Sequence, residues 1–175
     1  MEKVEIRKWG DPILHQRSNE ISIIDGRIIS LSQKMIEAMH ENSGIGLAAP
    51  QIGISERLIV IDIWNKEKPD EIIILANPEL LEAKGESILE EGCLSVPEIK
   101  EEVKRPQKVL IKGIGLDEKE KIIEATDILA RVFCHEIDHL NGKFFIDHLS
   151  LLKRQLIKRK LRKILNPSDY YHRKK

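Results

Sequence analysis

The run HEIDHLNG, residues 135–142, places His135 and His139 four positions apart with Glu136 between them. On a helix, positions i and i+4 share one face, so two imidazoles can reach one metal ion while Glu136 is turned toward the water to be activated. That pattern points to metal-dependent hydrolysis. Two histidines leave a catalytic site one protein ligand short. A metzincin pattern would need a third histidine at residue 145, which is Phe145, and a thermolysin-like site would need a later glutamate, but none follows His139. The third ligand is therefore expected upstream. Cys93, in EEGCLSVP (90–97), is the leading candidate, because the neighbouring Gly92 lets a thiolate approach a cation without a bulky side chain beside it. Thiolate and imidazole suit iron, zinc, nickel and cobalt alike.

Such residues need elements to hold them. Thr126 or Asp127 is expected to cap a helix running to about Leu140, with Ile128, Leu129, Val132, Phe133 and Ile137 burying most of its circumference. Apolar residues at helical spacing, Ile28, Leu31, Met35, Ile36 and Met39, predict an N-terminal helix from Asp25 to about His40 that delivers the chain to the loop GIGLAAPQ (44–51). Strands are expected at 57–63, 71–77, around 87–89, 108–115 and 121–127, with a hairpin turn in LDEKEK. A basic amphipathic helix is expected from about Leu149 to Leu165 with Leu152, Leu156, Arg159 and Lys163 on one side, either packed on the core by its leucines or used for docking. The fold class is α+β: mostly antiparallel sheets around a central metal-binding helix, with an N-terminal and a C-terminal helix.

Three segments, GIGLAAPQ (44–51), EGCLS (91–95) and HEIDH (135–139), occur here in an order and separation that resemble the motifs of the peptide deformylases. The resemblance extends through WGDPIL, Asn77–Pro78, Arg105–Pro106 and NGKFFIDHLS, covering roughly residues 5 to 150. It implies the same α+β fold and hydrolysis of the formyl group from the N-formylmethionine of nascent polypeptides. Cys93, His135 and His139 would be the metal ligands, with Fe2+ the native ion and Zn2+, Ni2+ or Co2+ able to substitute. Metal coordination can lower the pKa of water to about 7. Glu136 would take a proton from that water and return one to the leaving nitrogen.

The resemblance assigns stabilisation of the oxyanion to the Gln51 amide and the backbone N–H of Leu94. Backbone donors at Ile45 and Gly46 would hold the peptide extended, which counts Gly46 with both the catalytic and the substrate-binding residues. The walls of the methionine pocket are expected to be Ile45, Leu89, Ile128 and Val132, and Glu91 and Gly92 are counted with the substrate-binding set. Cys134 is expected to pack as a small apolar residue facing away from the metal, since one residue turns about 100° around a helix. Asp138 is expected to make structural contacts. GIGLAAPQ lacks the Gly-Lys-Ser/Thr ending of a phosphate loop. The rivals are a peptidase using the same metal chemistry and a structural metal module closed by a fourth protein ligand.

The 175 residues fit one domain: a catalytic part over 1–148 and a basic helix and tail over 149–175. No apolar run approaches the ~20 residues that span a bilayer, so no membrane association is expected. The N-terminus lacks the apolar segment of a signal peptide. One disulfide between Cys93 and Cys134 would remove the proposed thiolate, so a reducing cytoplasm is expected. Zero net charge hides an asymmetry: residues 150–175 carry ten Lys or Arg against Asp169 alone, while 1–149 carry 19 bases and 28 acids. The resemblance supports docking of that basic tail on ribosomal RNA, through phosphate neutralisation.

Overall fold

Asp25 caps the first helix as expected: its carboxylate accepts from the Ile28 N–H at 3.0 Å, and α1 runs Gly26–Glu41. The computed structural model describes residues 4–63 and 72–165. Seven strands follow α1: β1 (Gly46–Ala48), β2 (Leu58–Ile61), β3 (Ile73–Lys84), β4 (Ser87–Cys93), β5 (Val96–Arg105), β6 (Lys108–Ile114) and β7 (Glu120–Thr126). They form a five-stranded antiparallel sheet in the order β1-β2-β3-β6-β7 and a separate β4–β5 hairpin. Helix α2 spans Asp127–Leu140 and α3 spans Leu151–Leu165.

The alternation of β2 explains where the helices go. All four of its residues are buried, and successive side chains of a strand point to opposite faces. Leu58 and Val60 pack with Ile28, Leu31, Met35 and Met39 of α1. Ile59 and Ile61 pack with Ala130, Phe133 and Leu140 of α2. The large sheet is therefore sandwiched between the two helices, and α2 is buried against strands as the chemistry requires. A third cluster joins the β4–β5 hairpin to α3 through Leu14, Val96, Ile99, Val103, Phe144, Phe145, Ile157 and Leu161.

The end of α2 is tightly specified. Arg57 donates to the Leu140 carbonyl at 3.2 Å and to Asn141 Oδ1 at 3.0 Å, supplying a cation to the negative end of the helix. Gly142 then takes φ +70°, the left-handed conformation common after a helix, and a Cβ there would collide with the backbone of His15.

Several expectations are corrected. The strand expected at 71–77 begins, among the described residues, at Ile73 and continues through Pro78 to Lys84, with register shifts after Ala76 and Leu80; Glu71 lies outside the described residues. The strand near 87–89 extends to Cys93. β1 and β5 were not expected at all. β5 reads as a charged segment, EIKEEVKR, because its buried face consists of only Val96, Ile99, Val103 and Arg105. Thr126 occupies the N-cap of α2, but its side chain makes no capping bond. α3 begins at Leu151 and is anchored by Ile157 and Leu161, whereas Leu152 and Leu156 are 68% and 54% exposed. The basic residues Arg173, Lys174 and Lys175 lie outside the described residues.

Candidate active site

Cys93 ends β4, and His135 and His139 sit one helical turn apart on α2, so a strand end and a helix face bring three donors together. Their ligand atoms all lie within 4.8 Å of one another. Cys93 Sγ is 3.2 Å from His139 Nε2, which is 3.2 Å from His135 Nε2. Four ligands arranged tetrahedrally around a zinc-like ion are roughly 3.3–3.6 Å apart, so this donor set fits a single cation. The charges within the cluster act on one another. Burial pushes the Cys93 thiol up, but the imidazoles of His139 and His135 outweigh it and hold the group well below its ordinary value. Burial pushes His135 down, but bonds to Cys93 and Glu91 lift it well above the usual imidazole range.

His135 is oriented by Glu91. Its Nδ1 lies 3.1 Å from Glu91 Oε2. An ionised carboxylate can only accept, so Nδ1 carries a proton, and Nε2 is the nitrogen that would give up its own proton to offer a lone pair to a cation. Glu91 is in turn gripped by two buried guanidiniums. Arg105 donates Nε to Oε1 at 2.9 Å and a terminal nitrogen to Oε2 at 3.1 Å, and Arg131 donates to Oε1 at 2.6 Å. Burial pushes the Glu91 carboxyl up, but the bonds from His135 and Arg105 and the charge of Arg105 outweigh this and hold it at about 2. Arg105 continues to Asp138 Oδ2 at 2.6 Å, and Asp138 meets His148 Nε2 at 2.6 Å. Asp138 thus has the structural part expected of it.

A cavity of about 470 Å3 opens beside the cluster, lined in part by Ile45, Gly46, Gln51, Glu91, Gly92, Cys93, Leu94, Ile128, Val132, His135 and Glu136. Glu136 is 3% exposed, and its Oε2 has no protein partner among the described residues. Burial pushes its carboxyl up to about 7, against the opposing pull of His135 and His139. A carboxyl poised near neutrality suits proton transfer in both directions. Gly46 is required beside it: a Cβ there would collide with Glu136 Oε1 and Val132 Cγ1.

Of the expected site residues, His139 joins the cluster without lining the cavity, Leu89 is 42% exposed and belongs to neither, and the rest line the cavity. The Leu89 carbonyl instead lies 3.5 Å from Arg131. Glu91, expected with the substrate-binding residues, faces the cavity but spends both carboxylate oxygens on Arg105, Arg131 and His135. Cys134 is buried on the far side of α2, and burial pushes its thiol up to about 11. A larger cavity of about 850 Å3 lies on that side, lined by Cys134, Ile137, Asp138 and Asn141 among others, and contains none of the three clustered donors.

Three residues were not anticipated. Arg105 was noted only as part of an Arg-Pro pair, and Arg131 could have been found from its place one turn before His135 on α2. Ser95 was visible as the last residue of EGCLS. Its hydroxyl accepts from Gln51 Nε2 at 3.2 Å.

The polypeptide deformylase family model matches residues 3–155. The chain is 45% identical over 159 residues to the peptide deformylase of Thermodesulfovibrio yellowstonii, covering 91% of this chain and 96% of that one. It is 45% identical over 165 residues to the peptide deformylase of Acidobacterium capsulatum, covering 94% and 97%. Its fold matches the crystal structure of a peptide deformylase from Legionella pneumophila with a TM-score of 0.85 at 40% identity, over 94% of this chain and 96% of that one. It matches the Ehrlichia chaffeensis peptide deformylase in complex with actinonin with a TM-score of 0.87 at 34% identity, over 95% and 99%. With matches of this length and identity in both sequence and fold, the chain belongs to the peptide deformylase family.

Proposed function

We propose that Cys93, His135 and His139 hold one divalent metal ion, Fe2+ in the native enzyme, and that the residues around it remove the formyl group from the N-formylmethionine of nascent polypeptides. The reaction is hydrolysis of an amide: water adds, the carbon–nitrogen bond breaks, and formate and a free amine result. Held by Cys93, His135 and His139, the ion would supply Lewis acidity to the formyl carbonyl and to the attacking water. Glu136 accepts the proton of that water and passes one to the leaving nitrogen, and its burial raises its proton affinity. The Gln51 amide and the Leu94 N–H take the charge that develops on the formyl oxygen. Ile45, Ile128 and Val132 offer the methionine side chain an apolar wall, and the backbone at Ile45 and Gly46 holds the peptide extended beside β1.

The observation that carries this reading is the convergence of the three ligand atoms within 4.8 Å beside a cavity lined by Cys93, His135 and Glu136. Purified protein is incubated with formyl-Met-Ala, with acetyl-Met-Ala and with an internal peptide, and formate and new amines are measured. Formate from the first substrate alone is expected. Cleavage of the internal peptide would make the chain a peptidase, and inertness toward all three with bound metal would make the centre structural. Metal analysis after oxygen-free purification tests the iron assignment; zinc, nickel and cobalt suit the same donors.

The finer setting of the activity belongs to the same reading. One domain carries the chemistry over 1–148 and the basic segment over 149–175, in the cytoplasm, where thiols stay reduced and nascent chains appear. α3 presents Arg159, Lys160 and Arg162 around a helix anchored by Ile157 and Leu161, and this basic surface docks on ribosomal RNA. Among the described residues no helix is long and apolar enough to cross a membrane.

A further inference from the structure

We infer that Ser95 is a positioning residue for deformylation: its buried hydroxyl aims the Gln51 side-chain amide at the formyl oxygen. The inference rests on the reading of Gln51 as an oxyanion donor. Gln51 is 2% exposed and Ser95 is fully buried, so neither side chain can exchange its partners for solvent. Gln51 Oε1 accepts from the Ala48 N–H at 2.8 Å, which determines the face on which Nε2 lies. Nε2 has two hydrogens. One goes to Ser95 Oγ at 3.2 Å, and the other to Cys93 Sγ at 3.6 Å, leaving that second hydrogen beside the cluster where an oxyanion can take it.

The backbone around these two residues is held independently of the hydroxyl. Arg7 N–H donates to the Gln51 carbonyl at 2.8 Å, and Trp9 N–H donates to the Ser95 carbonyl at 2.9 Å. Lys8 Nζ reaches the Leu94 carbonyl at 2.9 Å. Ser95 N–H points to Cys93 Sγ at 3.4 Å whatever its side chain. Segment 7–9 therefore ties the Gln51 turn to the loop that carries Leu94, and loss of the Ser95 hydroxyl loosens only the Nε2 end of the Gln51 amide, whose Oε1 stays on the Ala48 N–H. An oxyanion donor is effective because it is already aimed, so loosening it reduces turnover without weakening substrate binding.

The test is a double-mutant cycle of Ser95→Ala and Gln51→Leu, with metal content and melting temperature measured on each sample and kcat and KM measured on formyl-Met-Ala. Truncating serine removes one oxygen and no other packing atom, so the fold persists. Loss of a whole oxyanion donor lowers kcat by about 10²–10³-fold, and mis-aiming it in Ser95→Ala is expected to lower kcat about tenfold with KM within about threefold. In the Gln51→Leu background the serine change is expected to have an effect below about twofold, since nothing remains to be aimed. Undiminished kcat in Ser95→Ala, or an equal loss in both backgrounds, overturns the positioning role alone. Undiminished kcat in Gln51→Leu overturns the oxyanion reading and this inference with it, while a wild-type protein that releases no formate overturns the proposed function itself.

Discussion

Replacing Glu91 by Gln removes one negative charge from a place where three buried partners depend on it. Its side chain is 5% exposed, and those of Arg105 and Arg131 are 3% and 7% exposed. Removing one member of a buried ion pair costs about 3–5 kcal/mol, because the other charge is left uncompensated. Arg105 keeps Asp138 at 2.6 Å, and Arg131 keeps the Ser87 and Val103 carbonyls at 2.8 and 2.9 Å, which places the cost toward the lower end. The proton equilibrium leads to a similar size. The Glu91 carboxyl is held at about 2 against an ordinary value of 4.5. At 1.36 kcal/mol per pKa unit, that difference is worth about 3 kcal/mol.

The sign follows from linkage. The folded value lies below the unfolded one, so this stabilisation is full above about pH 5 and is lost as pH falls toward about 2. For a chain of this size about 3 kcal/mol lowers the melting temperature by roughly 6–12 °C. Melting curves of wild type and Glu91→Gln, both treated with chelator so that folding is read apart from metal binding, are compared at pH 7 and pH 3. The gap is expected to shrink at pH 3, where the unfolded wild-type carboxyl is already protonated and folding must release that proton. Metal titration should also show a roughly 10–100-fold weaker site, since the carboxylate that orients His135 is replaced by a neutral amide. A change in melting temperature under about 2 °C at pH 7 would refute the energetic argument.

Glu136→Gln should retain metal and lose turnover, because the ligands remain while the proton acceptor is gone; near-native formate release would remove Glu136 from its assigned part. Cys93→Ala should lose tight metal binding, and full metal content in that variant would show that another residue ligates. Gly46→Ala should lower kcat by up to about 100-fold with metal content intact, since the added Cβ displaces the Glu136 carboxylate and Val132; unchanged kinetics would show that the loop yields freely. Charge reversal at Lys158, Arg159, Arg162 and Lys163 should weaken ribosome co-sedimentation in a salt-dependent way while leaving activity on a short formyl peptide nearly intact, and unchanged co-sedimentation at low salt would return α3 to a solvated surface.

What could be read from the chain alone was local. The spacing of His135 and His139 specifies one helix face whatever surrounds it, and the unbroken apolar run in RLIVIDI suits a strand buried on both faces. Asp25 stands where a cap is needed for the same reason. Cys93 was legible because the chemistry of two histidines demands a third donor and the later sequence offers no glutamate. The Glu91 network was not legible. Its members are separated by 14 residues for Arg105, 40 for Arg131 and 44 for His135, and only the folding of β4, β5 and α2 against each other makes them neighbours. Charged residues in EIKEEVKR look like a solvated face until β5 pairs with β4 and turns Arg105 inward. The anchoring face of α3 is likewise corrected by the structure: the expected anchors were Leu152 and Leu156, but Ile157 with Leu161 has the same four-residue spacing, so pattern alone cannot choose between the pairs. Leu14, Val103 and Phe144 make the choice, because burial depends on which apolar surface the rest of the chain leaves open, and that surface exists only in the tertiary structure.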